Sequence, residues 1–144
     1  MSDAYINGLK VRRQVMGDEF VDQAFAHATE FTRPLQDFIT GNAWGSVWCR
    51  GGLDLKTRSL ITVAMLTALG RQSELRGHVR GALNNGATVA EIQEILLHAT
   101  VYCGVPLAAD AFRTADAVIA CYWLEDVLAS PAAPASDPLR QAPE

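Results

Sequence analysis

The sequence predicts an all-α protein, a single-domain bundle of about seven helices. Three observations lead there. Apolar residues recur at spacings of three and four, and nowhere hold the alternation of a half-buried strand. Glycines stand where those periodic runs end, at Gly17, Gly51 and Gly52, Gly70, Gly86 and Gly104. Capping residues stand where runs begin, most plainly Asp54 and the pair Thr88 and Glu91.

Taken in order, the first helix is expected from about Tyr5 to Met16, and the second from Asp18, read as its cap, to about Ala26. Thr32 and Pro34 start a third, because a proline in the first turn forfeits no intrahelical bond; it carries Leu35, Phe38, Ile39 and Trp44 toward the double glycine. Asp54 caps a fourth, whose run from Leu60 to Leu69 is apolar nearly all round and reads as a central buried helix. The fifth starts at Ser73 and ends at Gly86. A Thr88/Glu91 capping box opens the sixth, Gly104 stops it, and Pro106 opens a seventh to about Leu128.

With 144 residues, 49% of them hydrophobic, the chain suffices for one domain with a sizeable core (1–128), followed by a Pro/Ala-rich solvated tail (129–144). A net charge of −4 with scattered Lys and Arg leaves no basic footprint for nucleic acid. No signal-peptide pattern and no apolar run long enough to span a bilayer is present, so the expected setting is the cytoplasm. Cys49, Cys103 and Cys121 are widely spaced without a C-x-x-C pair and read as reduced thiols.

The segment ELRGHVRGALNNG is the candidate for chemistry, with a structural alternative in which Gly77 and Gly81 are packing notches and His78 a satisfied interface histidine. On a helical wheel Leu75, Val79, Ala82 and Leu83 form an inward face, and a neighbouring stripe collects Glu74, Gly77, His78, Gly81 and Asn85. A mid-helix glycine costs about 1 kcal/mol against alanine, so Gly77 and Gly81 imply a close neighbour, either another helix or a ligand. A carboxylate one turn before an imidazole raises its pKa and orients it, making His78 a proton carrier and Glu74 its orienter. Two such residues on one helix are too few for a metal site, and His27 and His98 stand in unrelated contexts.

The series ATEFTRP, AWG, TRS, ELR-x-H, ALNNG and YCGVP, spread over most of residues 10–125, resembles the carboxymuconolactone decarboxylases. The resemblance implies an alkylhydroperoxidase D-like all-α fold, a homo-oligomer of three or six chains, no cofactor, and loss of carbon dioxide from 4-carboxymuconolactone to give 3-oxoadipate enol-lactone in protocatechuate breakdown. It implies His78 and Glu74 as the catalytic pair, with Arg33, Arg58, Arg76 and Trp44 as substrate-binding candidates. Ser46 and Cys49 depart from the family's pattern, where an acidic and a small polar residue are expected.

That chemistry suits a protein without a cofactor, because the lactone itself accepts the electrons that the carboxylate leaves behind. A dicarboxylate substrate calls for at least one arginine. Each arginine also has a structural reading as an ion-pair partner, and tryptophans placed one turn apart, as Trp44 and Trp48 are, are more often core than substrate wall. Another reaction on the same scaffold, such as a lactone isomerase or cyclase, and a non-catalytic assembly module remain as alternatives. A thiol peroxidase does not, since SELRGH lacks the C-x-x-C it needs.

Overall fold

A computed structural model describes residues 1–129; beyond Ala129 the expected tail lies outside the described residues. The first helix, α1 (Asp3–Met16), is followed by α2 (Asp18–Ala26) and a short α3 (Arg33–Phe38) that runs directly into a π-helical segment (Ile39–Trp48). Then come α4 (Leu55–Ala68), α5 (Gln72–Asn84), α6 (Val89–Cys103) and α7 (Val105–Ala129). Among the described residues there is no strand, as expected.

The caps predicted at Asp54 and Thr88 form. Asp54 accepts the Thr57 N–H at 2.7 Å, and the Thr88/Glu91 box closes with bonds of 2.9 and 3.0 Å, each cap contributing about 1 kcal/mol. Ser2 caps α1, which therefore begins before Tyr5. Asp18 proves to be the first residue of α2 rather than its cap, and pairs with Arg13 at 3.1 Å. The stops at Gly17, Gly70, Gly86 and Gly104 all have positive φ, which glycine adopts without strain.

Helix α5 lies between two apolar clusters. Leu75, Val79 and Ala82 are fully buried against Val63 of α4, Ile92 of α6 and Ala111 of α7. On its other side stands a smaller cluster of Val15, Met16, Val21 and Trp44. The glycine stripe faces that cluster: a Cβ on Gly77 would lie 2.9 Å from Met16 Cε, and one on Gly81 3.1 Å from Val15 Cγ1. The close neighbour is thus α1 of the same chain. Asn84 ties α5 to the Val15 carbonyl at 2.8 Å, and Asn85 ties it to Ser59 of α4 at 2.9 Å.

Helix α1 also meets the π-helical segment backbone to backbone. A Cβ on Gly8 would lie 2.1 Å from the Thr40 carbonyl oxygen, and one on Gly45 2.1 Å from that of Ala4. Helix α4 differs from expectation. Its inner face, Ser59, Val63 and Thr67, is buried, but Met65 and Leu69 are 59% and 71% exposed, because α5, α6 and α7 cover one side only. The outer faces of α4 and α6 meet in a shallow hollow of about 300 Å³ lined by Ala64, Ile95, Ala99 and Tyr102.

Candidate active site

His78 faces the π-helical segment. There Trp44 and Trp48 stack at 4.6 Å, and the imidazole lies over both, 6.3 Å from the Trp44 ring and 6.1 Å from that of Trp48. The wider winding is visible at the segment's end, where the Cys49 N–H bonds to the Trp44 carbonyl five residues back at 3.2 Å. Such windings occur often at functional sites.

The His78 Nδ1 is buried and has no hydrogen-bond partner. Burial pushes the imidazole pKa down to about 4, against the opposing pull of Glu74. The expected rise is therefore reversed. At neutral pH the ring is uncharged, with one N–H and one lone pair to offer.

Glu74, at the start of α5, is exposed and accepts from Arg71 Nη2 at 2.6 Å. That hydrogen bond holds its carboxyl below the usual range. Glu74 consequently acts on His78 through charge alone rather than as a bonded orienter.

The arginines separate. Arg33 is exposed, paired with Asp37 at 3.3 Å and lying 5.0 Å from the Phe25 ring. Arg76 is exposed. Arg58 is half-buried: Nη2 donates to the Arg50 carbonyl at 3.0 Å, and Nε is buried without a partner. Ser46 and Cys49 lie on the exposed side of their segment, and Cys49 borders a hollow with Asn7, Lys10 and Gln14.

Sequence reasoning missed Arg12. Only 4% exposed, it donates from Nη1 to Thr40 Oγ1 at 3.0 Å and from Nη2 to Gln36 Oε1 at 2.8 Å, while Nε has no partner. The signal was legible: Arg12 shares the α1 face of Gly8, Val15 and Met16, so a charge occupies an apolar position of the helical period. The π-helical segment is thus gripped by Arg12 at Thr40 and by His78 at its tryptophans, with Arg58 holding the carbonyl of Arg50 just past its end.

Among the described residues no three His, Cys, Asp or Glu side chains converge as metal ligands would. No described helix is long and apolar enough to cross a membrane. Residues 33–117, which contain the π-helical segment and α5, match the model of the carboxymuconolactone decarboxylase family. The chain belongs to this family.

Among curated relatives of this carboxymuconolactone decarboxylase family protein, it is 52% identical over 104 residues to the nitrosuccinic acid decarboxylase of Metarhizium robertsii, covering 72% of this chain and 73% of that one. It is 44% identical over 114 residues to the 4-carboxymuconolactone decarboxylase of Acinetobacter baylyi, covering 79% and 85%. It is 39% identical over 79 residues to an uncharacterized 15.0 kDa protein of Paracoccus denitrificans, covering 54% and 59%. The relatives named for an activity are decarboxylases, and this chain is an enzyme of the same family. Arg12 lies outside the matched span, on the helix that packs against it.

Proposed function

We propose that this protein is a decarboxylase that needs no cofactor and removes carbon dioxide from a small dicarboxylate carrying its own electron sink. The substrate in this reading is 4-carboxymuconolactone and the product 3-oxoadipate enol-lactone, in the cytoplasmic breakdown of protocatechuate. The observation that carries it is the uncharged, water-poor imidazole of His78, its Nδ1 buried without a hydrogen-bond partner, set against two indoles.

The chemistry balances as follows. The bond to the departing carboxylate breaks, carbon dioxide leaves, and the electron pair moves through the ring double bond onto the lactone carbonyl oxygen. A new C–H bond then forms at the carbon α to the carbonyl, with the proton coming from His78. A dianionic substrate beside the imidazole raises its pKa, so the proton arrives with the substrate and is handed to carbon. The dry indole surface favours departure of a charged carboxylate as neutral gas. Of the arginines named from sequence, Arg58 and Arg76 carry no carboxylate partner among the described residues, and the half-buried Arg58 suits the oxygen on which charge develops. Glu74 tunes His78 by charge.

A second reading takes nitrosuccinate as substrate, with the nitro group receiving the electron pair as a nitronate. It is favoured by the 52% identity to the relative named for that acid. Both readings include a homo-oligomer of three or six chains, supported by exposed Met65, Leu69, Val101 and Tyr102. Turnover of each acid followed by ultraviolet absorbance tests them. Absence of carbon dioxide release from either would overturn the decarboxylase reading.

A further inference from the structure

Among the described residues, Arg12 is a buried cation without an anion. Buried charges in folded proteins are ordinarily paired, and this guanidinium, 4% exposed, meets only neutral acceptors. Asp37, next in sequence to Gln36, is engaged elsewhere: its Oδ1 accepts from Tyr5 at 3.1 Å and from Arg33 at 3.3 Å. The Phe25 ring, 5.5 Å from the guanidinium carbon, supplies a π face and no charge. Burial lowers the Arg12 pKa, as it does for a cation lacking a counter-charge.

The two acceptors differ. Thr40 Oγ1 belongs to the fold, since its own hydroxyl donates to the Gln36 carbonyl at 2.7 Å. The Gln36 side chain holds Arg12 by one bond and is half-buried. It occupies Nη2, and Nε beside it is buried without a hydrogen-bond partner. Nε and Nη2 form one edge of the guanidinium plane, and parallel N–H groups on one edge match the two oxygens of a carboxylate. That edge is therefore only half satisfied: Nε donates to nothing, and Nη2 donates to a side-chain amide that a carboxylate can displace.

We propose that Arg12 is the seat of the substrate's retained carboxylate, with Gln36 as its place-holder in the free protein. The inference rests on the decarboxylase reading for the identity of the ligand, a small diacid. Position supports it. Arg12 stands one turn before Met16 on α1, and Thr40 one turn before Trp44, while Met16 and Trp44 belong to the cluster that meets Gly77 and His78. A carboxylate on Arg12 thus lies about one helical pitch, about 5.4 Å along the helices, from the row where His78 faces the indoles. A diacid held there extends its second carboxylate toward the imidazole, and a monoacid reaches only one of the two places.

The test uses the full chain, with succinate as a non-reacting diacid measured by calorimetry and steady-state kinetics on 4-carboxymuconolactone and nitrosuccinate. Arg12→Lys, which keeps charge and loses the bidentate edge, is expected to weaken succinate binding about 30-fold or more. KM rises in parallel and kcat stays within about threefold. Gln36→Ala is expected to tighten succinate binding, since the ligand no longer displaces an amide. Unchanged succinate affinity in Arg12→Lys, a fall in kcat alone, or a wild-type chain that binds no succinate overturns the seat. Should Arg12→Lys fail to fold, Gln36→Ala decides: tighter binding supports the proposal, and equal or weaker binding ends it. Succinate binding that depends on Arg12 without turnover of either acid would remove the decarboxylase reading and leave the seat standing.

Discussion

The His78 imidazole lies within 5° of parallel to the Trp44 indole, with ring centroids 6.3 Å apart. This arrangement takes the ring out of water, which is why burial outweighs the charge of Glu74 one turn away. The same carboxylate is drawn toward Arg71, on the solvent side of α5. The pair is therefore asymmetric, a neutral base in a dry place and a charged acid in a wet one.

Stability should fall with acid through His78. The folded pKa is about 4 against an ordinary 6.5, so the unfolded chain binds this proton first. Stability from this group is whole above 6.5 and declines as pH falls to about 4, by up to about 3 kcal/mol. Denaturant titrations near pH 7 and near pH 4.5 should show wild type losing about 2–3 kcal/mol more than His78→Gln. Equal losses would mean that the imidazole is not buried neutral.

His78→Ala should lower turnover at least about 10²-fold, because it removes the proton carrier. Glu74→Gln should lose less, since Glu74 acts through charge on a ring it does not touch. Steady-state kinetics with circular dichroism on both variants checks this. Wild-type turnover by a folded His78→Ala protein would end the assignment.

The contact between α1 and the π-helical segment should tolerate no added methyl. Gly45→Ala places a Cβ against the Ala4 carbonyl, and Gly8→Ala against that of Thr40, at distances only backbone movement can relieve. Each should destabilise by about 1–3 kcal/mol or more. Thermal unfolding measures the loss, and near-ultraviolet circular dichroism should report disturbed stacking of Trp44 and Trp48. By contrast Gly77→Ala meets the flexible end of Met16 and should be milder.

Light scattering coupled to size exclusion should give a closed homo-oligomer, three or six chains in mass. Met65, Leu69, Val101 and Tyr102, each more than half exposed in the single chain, are expected to lie in its interfaces. Tyr102→Glu should shift the mass downward. A wild-type chain that remains an active monomer at micromolar concentration would refute the assembly.

Activity should survive exhaustive chelation, because the substrate carries the electron sink. Loss that a single added metal restores would replace the proposed mechanism.

The sequence by itself determined the helices and most of their ends. Asp54, the Thr88/Glu91 box and the glycine stops act within a turn of where they stand, so their consequences are readable from neighbours in the chain. It also determined that Glu74 and His78 share one stripe, and the ordered motifs led to the family. Tertiary structure decided what those residues experience. That α1 fills the glycine stripe, that α4 leaves Met65 and Leu69 outward, and that α3 widens into a π-helix are set by segments distant in sequence. The reversal at His78 has the same origin, since spacing reveals the carboxylate at i−4 but not the indoles that exclude water. Arg12 is the sharpest case: its place on the buried face of α1 was visible in the helical period, yet only the packing around it reveals a guanidinium whose partners are all neutral. Burial is a property of what arrives from elsewhere in the chain, and it sets the electrostatics of this site.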